Sequence, residues 1–155
     1  MSADLDRYSK RILEHLQVHG RASAQDLSDA VGLSTAPCWR RVKAMEADGV
    51  IRGYAALVDP RKVGLTACLL VQVSLDRHSE AVVADFERAV RDTPEILECH
   101  VTTGDADYLL KIMVADTLAY DAFLHRLMFR LKGVRQMKTS VALRTVKDQS
   151  RLPLG

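Results

Sequence analysis

The spacing of apolar residues changes near residue 50, and this change constrains the fold more than any other feature of the chain. Before it, apolar residues recur at helical spacing; after it, most segments alternate with the period of two that is typical of strands. A chain of 155 residues is long enough for two small domains, each with its own core. We therefore expect a helical N-terminal domain followed by a domain of mixed composition.

Three helices are predicted in the N-terminal part. The first, in "ADLDRYSKRILEHLQVHG", carries an apolar stripe and has Gly20 as its C-cap. The second, in "SAQDLSDAVG", opens with Ser23 and Asp26 as a capping-box pair and ends at Gly32. The third is capped by Ser34 and ends at the "DG" dipeptide. Two short helices joined by "GLST" form a helix-turn-helix pattern.

The rest of the chain predicts a sheet. "VIRGYAALVD" reads as one or two short strands that could form a wing, and "DPRKVGL" is a turn-rich connector that marks a domain boundary. From Thr66 the order is strand, helix, strand, strand, helix, strand, which is the ferredoxin-like order of an antiparallel sheet with two helices on one face. The predicted fold class is α+β, an N-terminal winged helix-turn-helix followed by a ferredoxin-like βαββαβ domain.

These patterns divide the chain into four parts. Residues 1–52 form the winged helix-turn-helix, residues 53–65 the wing or linker strand and connector, residues 66–148 the ferredoxin-like domain, and residues 149–155 a C-terminal tail. We expect the open face of the sheet, with Leu70 and Met113 among its apolar side chains, to be a dimer surface.

The third helix presents two different sides. At about 100° per residue, the inward side consists of Cys38, Val42 and Met45. The outward side consists of Ala36, Arg40 and Lys43, with the aromatic Trp39 on its flank. Such a side suits a DNA major groove, where guanidinium groups pair with guanine or phosphate; the alternative is a solvated basic face. The position of the third helix after a turn and before a possible wing favours the DNA-binding interpretation. Arg41 lies nearer the core, where it can reach a phosphate or hold an internal carboxylate.

Composition and motifs exclude several classes of protein. The net charge is only +2, so DNA binding must depend on local charge. Three scattered cysteines favour reduced thiols, and no stretch predicts a membrane span or a signal peptide, so we expect a cytoplasmic protein. Cys99 and His100 are strand neighbours that point to opposite faces, and His15 and His19 lack a third metal ligand. We expect no enzyme, no metal and no cofactor.

Longer motifs resemble one family across nearly the whole chain. "LSTAPCWRRVKAMEADGVIRGYAALVDP" resembles the recognition helix and wing of the Lrp/AsnC family of transcriptional regulators, and "ECHVTTGDADYLLKIMV" and "LKGVRQMKTSVAL" resemble its amino-acid-sensing domain. The similarity is greatest to the leucine-responsive branch. It implies a homodimer that often assembles into an octamer, double-stranded DNA as partner, an amino-acid effector bound between subunits, and a nucleoid-associated cytoplasmic protein.

The resemblance also assigns site residues. The implied DNA contacts are Ser34, Thr35, Ala36, Trp39, Arg40 and Lys43, with Arg41 in support. The implied effector site consists of Gly104, Asp105, Asp107, Tyr108, Thr139, Ser140 and Ala142. Trp39 replaces a smaller aliphatic residue, and Ser140 replaces a larger aromatic found in some relatives, so base preference and ligand identity stay open.

The chemistry of the "GDAD" turn is compatible with an amino-acid effector. Carboxylates can accept an ammonium, and backbone N–H groups at a glycine turn can bind a carboxylate. We expect Asp107 to accept the ligand ammonium, so that Asp107→Ala abolishes the response and leaves the fold almost unchanged. We also expect the turn and the strand around Thr139 and Ser140 to come from different chains. The alternative is a plain hairpin turn whose Asp side chains cap their own backbone.

Two functions follow from the sequence. The first is a sequence-specific DNA-binding transcriptional regulator whose DNA binding or assembly responds to an amino acid. The alternative is a small-molecule-binding ferredoxin-like sensor whose helical head mediates protein–protein contacts.

Overall fold

The computed structural model describes residues 5–76 and 79–154. The chain divides into two compact units. The helical unit contains the segment up to Leu57 together with the tail from Lys147, and the sheet unit is Val58–Val146. No helix in the described ranges is long and apolar enough to cross a membrane.

The helical unit contains the three predicted helices, α1 (Arg7–Leu16), α2 (Ala24–Val31) and α3 (Thr35–Ala47). The Ser23–Asp26 capping box is present, and Gly32 ends α2 in the left-handed region at φ 74°. The first helix is shorter than predicted and its C-cap is Gln17 instead of Gly20. It ends early because the hydrogen bonding changes to the 3₁₀ type after Leu16: the Val18 N–H donates to the His15 carbonyl three residues back.

One apolar cluster holds the helical unit together. Its buried side chains are Ile12, Leu13, Leu27, Val31, Cys38, Val42 and Met45. The last three confirm the predicted inward side of α3. Burial raises the pKa of the Cys38 thiol, as expected for a structural thiol that stays protonated.

The tail belongs to the helical unit and is bound to α1. The Gln17 side-chain amide donates to the Leu152 carbonyl at 3.1 Å, and the Leu152 N–H donates to Gln17 Oε1 at 2.5 Å. Leu154 packs against the apolar cluster. The primary amide of Gln17 therefore pairs with one peptide group of the tail in the way that two strands pair.

The strands predicted between residues 50 and 59 are not formed in this chain. Residues 52–59 have no helix or strand hydrogen bonding, and the segment continues into a short 3₁₀ helix at Pro60–Val63. An extended segment becomes a strand only when a second one pairs with it. Leu57 is 87% exposed.

The sheet unit has the predicted element order. It consists of β1 (Ala67–Leu75), α4 (Glu80–Arg91), β2 (Ile96–Val101), β3 (Tyr108–Val114), α5 (Thr117–Arg126) and β4 (Val134–Val141). The sheet order is β2-β3-β1-β4, with all neighbours antiparallel. This is the ferredoxin-like topology. Helix α5 ends at Arg126, because Leu127 departs from ideal helical angles (φ −115°, ψ −66°), and a short 3₁₀ turn follows.

The two faces of the sheet differ. Its main core includes Leu69, Val71, Val73 and Leu75 of β1 with Phe86 and Phe123 of the helices. Residues that alternate with these point to the other side, which we call the open face: Cys68, Leu70 and Gln72 of β1, Leu109, Lys111 and Met113 of β3, Glu98 and His100 of β2, and Gln136, Lys138 and Ser140 of β4. Leu70 is 42% exposed, whereas Met113 is 8% exposed.

Candidate functional sites

The N-terminal half of α3 presents most of the predicted DNA contacts on one exposed surface. The exposed residues are Ser34, Thr35, Ala36, Trp39, Arg40 and Lys43. Trp39 is 48% exposed, which is unusual for so large an apolar side chain. Ser34 is the N-cap residue of α3, but its hydroxyl makes no cap hydrogen bond to the helix. In the described ranges, Arg40 makes no ion pair or hydrogen bond.

Arg41 holds an internal carboxylate, one of the two roles predicted for it. Its Nη2 lies 2.8 Å from Asp6 Oδ2, and its guanidinium lies 5.8 Å from the centre of the Tyr8 ring. Asp6 also caps α1 by accepting from the Ser9 N–H at 2.7 Å. The Arg41 guanidinium holds the pKa of Asp6 well below its usual range. Arg41 therefore links α3 to the start of α1.

Lys43 is bound within its own helix. Its Nζ lies 2.8 Å from Glu46 Oε2 and 4.7 Å from the centre of the Trp39 ring. Glu46 also accepts from the Tyr54 hydroxyl at 3.2 Å. The Lys43 ammonium and, less strongly, the Tyr54 hydroxyl lower the pKa of Glu46. Sequence reasoning did not find the role of Tyr54, although the motif "GYAAL" contains it.

A shallow recess lies where the N-terminal ends of α2 and α3 meet. It is lined by Ala22, Ser23, Ala24, Thr35, Ala36 and Trp39. The first turn of a helix has unpaired backbone N–H groups and a partial positive charge, which attract anions such as phosphate. The recess therefore combines an apolar lining with two helix N-termini, one of which, that of α2, already carries the Asp26 carboxylate of the capping box.

The "GDAD" turn is fastened to the sheet by Asp107. The Asp107 N–H donates to the Val73 carbonyl at 3.0 Å, and its carboxylate accepts from the Leu75 N–H at 2.7 Å. These bonds lie beside Ser74 and Leu75, where the β1–β4 register shifts. Within the turn, Thr102 donates from its N–H to the Asp107 carbonyl and from its hydroxyl to the Ala106 carbonyl. Asp107 therefore has a structural role, and its partner is a neighbouring strand instead of its own backbone, which was the structural alternative from sequence.

Asp105 differs from Asp107. It is exposed, and its carboxylate makes no hydrogen bond or ion pair to residues 5–76 or 79–154. A small polar pocket lies beside it, lined by Gln72, Ser74, Asp105, Ala106, Gln136 and Lys138. Gly104 is also exposed, and its φ lies outside the left-handed region.

Tyr108 lies in the core on the helix side of the sheet. It is 4% exposed, its ring centre lies 4.6 Å from that of Phe86, and its hydroxyl donates to Glu87 Oε1 at 3.3 Å. Burial raises the pKa of Tyr108. Its side chain is therefore not part of the surface that surrounds Asp105.

The β4 residues assigned to the effector site point to different faces. Thr139 pairs with Val71 on the helix side, and its hydroxyl lies 2.7 Å from that of Tyr120. Ser140 pairs with Leu70 on the open face. Ala142 follows the strand and donates its N–H to the Cys68 carbonyl at 2.9 Å.

Within one chain the "GDAD" turn is distant from Ser140. The turn's pocket contains Gln136, and Ser140 lies four residues further along β4, which corresponds to about 13 Å of strand. Sequence reasoning missed Gln72, Gln136 and Lys138, because only the strand register shows which residues lie beside the turn. In the described part of the chain, no group of three potential ligands could hold a metal ion.

Comparisons with known proteins agree on both units. Residues 5–52 match the winged helix-turn-helix DNA-binding family, and residues 68–152 match the Lrp/AsnC ligand binding domain. The leucine-responsive regulatory protein of Escherichia coli is 42% identical over 149 residues, which cover 96% of this chain and 91% of that protein.

Solved structures give the same result. A transcriptional regulator from Neisseria meningitidis, solved as an L-methionine complex, has a TM-score of 0.93 and 37% identity and covers 97% of both chains. An AsnC family transcriptional regulator from Agrobacterium tumefaciens has a TM-score of 0.92 and 40% identity, over 96% of this chain and 97% of its own.

Proposed function

Because this chain belongs to the Lrp/AsnC family of transcriptional regulators, we propose that α3 is the helix that reads its DNA sites. Base contacts come from Ser34, Thr35, Ala36, Trp39 and Arg40. Arg41 and Lys43 support them, since both are held by carboxylates of the helical unit. The observation that carries this proposal is the exposed aromatic and cationic surface at the start of α3. The match of residues 5–52 to a DNA-binding family favours it over a head that binds proteins.

Arg40 gives the sharpest test. Its loss leaves no internal partner unpaired, so Arg40→Ala should weaken only DNA binding. If it pairs with a base, the cost is about 1–3 kcal/mol at one position of each half-site. Binding is measured by fluorescence anisotropy on duplexes selected from a random pool, over a series of salt concentrations. Arg88→Ala, on an exposed arginine of the sheet unit, is the matched control.

The outcomes of this test separate the possible roles. A base contact predicts lost discrimination at one position, whereas a phosphate contact predicts uniform weakening and a salt slope smaller by about one. If Arg40→Ala binds DNA with the same affinity, specificity and salt slope as the parent protein, Arg40 does not contact DNA.

We further propose that an amino acid is the effector and binds beside the "GDAD" turn. The neighbouring pocket is lined by Asp105 and by Lys138, which are opposite charges, and a zwitterionic ligand presents the complementary pair. In this arrangement Asp105 accepts the ligand ammonium, and the exposed Gly104 offers its backbone N–H. The methionine complex of the Neisseria regulator supports this ligand class.

The effector site requires a second subunit. The pocket volume within one chain is about 10 Å³, whereas pockets that enclose small ligands measure about 300–1,000 Å³. An amino acid at Asp105 would therefore lie on the surface until another copy covers it. We propose that Ser140 and Ala142 of a second subunit complete the site, since they lie too far from the turn within one chain.

The open face of the sheet is the proposed dimer surface. Leu70 is exposed at its centre, next to the Glu98–Lys111 ion pair at 2.9 Å. A two-fold dimer matches the symmetry of palindromic DNA sites, and further assembly into an octamer follows the resemblance. Sedimentation equilibrium at micromolar concentration tests this, and a monomer would contradict it. As a DNA-binding regulator, the protein is proposed to act in the cytoplasm at the nucleoid.

A further inference from the structure

We propose that the recess between the starts of α2 and α3 binds the 5-methyl group of thymine in the major groove, and that Trp39 determines this specificity. The inference rests on the proposed function of α3 and adds the chemical group that it recognises.

The recess offers few groups that could bind a polar base edge. Its lining contains three alanines and one tryptophan. The Ser23 hydroxyl is already used in the capping box, where it accepts from the Asp26 N–H at 3.1 Å and donates to the Asp26 carboxylate at 2.8 Å. Among the lining side chains, the Thr35 hydroxyl and the Trp39 indole N–H remain. A base edge that needs several hydrogen bonds would therefore find few side-chain partners in the recess.

The surroundings of the recess favour DNA over an apolar ligand. The exposed Arg40 lies next to Trp39 on α3, and the N-terminal end of α3 faces the recess. At the α2 end the Asp26 carboxylate is already held by Ser23 in the capping box, so the positive charge comes from Arg40 and the start of α3. A matching partner is negatively charged at its edges and has a small apolar group between them. The thymine methyl is the apolar group that base edges present in the major groove, and it lies between two phosphate backbones.

Trp39 is positioned before DNA binds. Lys43 lies one helical turn after it, with its ammonium over the indole, and is itself held by Glu46. Thr35 and the recess lie one turn before it. The indole is therefore supported on the side away from the recess, which lowers the entropy that must be lost when it contacts a base.

The test compares thymine with uracil, which lacks only the methyl group. Duplexes are first selected by the full-length protein from a random pool, and each thymine of the enriched site is then replaced by deoxyuridine. One position per half-site should show a loss of about fourfold, the value for one buried methyl group. In Trp39→Ala the thymine-to-uracil ratio at that position should be close to one.

Controls make each outcome decisive. Val18→Ala removes another exposed apolar side chain of the helical unit and should keep the fourfold penalty. Trp39→Leu keeps part of the apolar wall of the recess and should therefore keep part of the fourfold penalty. The proposal is overturned if no thymine-to-uracil replacement weakens DNA binding by the parent protein, a result that needs no variant. It is also overturned if Trp39→Ala keeps the full loss of affinity on uracil replacement. A pool with no enrichment would instead overturn the DNA-binding proposal, and this inference with it.

Discussion

Asp105 and Asp107 lie two residues apart in the "GDAD" turn, and we expect their substitutions to affect different properties. Asp107→Ala should lower the stability of the sheet unit, and Asp105→Ala should weaken ligand binding. Asp107 accepts the Leu75 N–H at 2.7 Å beside the β1–β4 register shift. A hydrogen bond to a charged group contributes about 1.5–3 kcal/mol. Asp107→Ala should therefore destabilise the sheet unit by this amount, which for a unit of its size lowers the melting temperature by at least about 6 °C.

Asp105→Ala should instead affect the ligand. Its carboxylate is exposed, so the change should alter the free energy of unfolding by less than about 0.5 kcal/mol. Loss of a charge-assisted contact to the ligand ammonium corresponds to about 10- to 150-fold weaker binding.

Calorimetry with L-leucine and L-methionine, together with urea unfolding of each variant, measures both effects. The parent protein should bind at least one of the two amino acids. Parental stability in Asp107→Ala, combined with undiminished ligand affinity in Asp105→Ala, would refute these assignments. It would restore the expectation from sequence that Asp107 is the ligand-binding carboxylate.

Three further predictions concern stability. Gly133→Ala should cost about 1–2 kcal/mol, since φ is +87° and a Cβ would lie 2.5 Å from Val82 Cγ1; urea unfolding measures this, and parental stability would contradict it. Leu154→Ala should cost about 1 kcal/mol through lost burial, and an unchanged unfolding midpoint of the helical unit would show that the Leu154 side chain contributes nothing. The Lys111 ammonium holds the pKa of Glu98 below its ordinary 4.5. The ion pair therefore stabilises above about pH 4.5 and is lost as the pH falls through the lowered pKa. Lys111→Met should narrow the difference in melting temperature between pH 6 and pH 3, and an equal difference in both proteins would exclude this contribution.

The fold could be predicted from sequence because local patterns agree with tertiary burial. Cys38, Val42 and Met45 are buried, as their angular positions on a helix required, and Ser23 caps α2 through its own side chain. The segment 52–59 could not be predicted in the same way, because a strand needs a partner that its own sequence does not specify.

The candidate sites show the same limit. Exposure of Trp39 and Arg40 follows from helical periodicity alone. The roles of Asp107 and Tyr108 depend on contacts with Leu75 and Phe86, which lie far away in sequence. A motif identifies the residues of a turn, but the register of the sheet decides which carboxylate is structural and which is exposed.

The attachment of the tail to α1 affects the order in which the protein can be completed during synthesis. The three helices leave the ribosome first, whereas the Leu152 peptide group that pairs with Gln17 is synthesised about a hundred residues later. At about 5–20 residues per second, the interval is roughly 5–20 s. During this time the nascent helical unit lacks the contacts of Leu152 and Leu154. Its full stability is therefore reached only after the sheet unit has been translated, which links the maturation of the helical unit to synthesis of the entire chain.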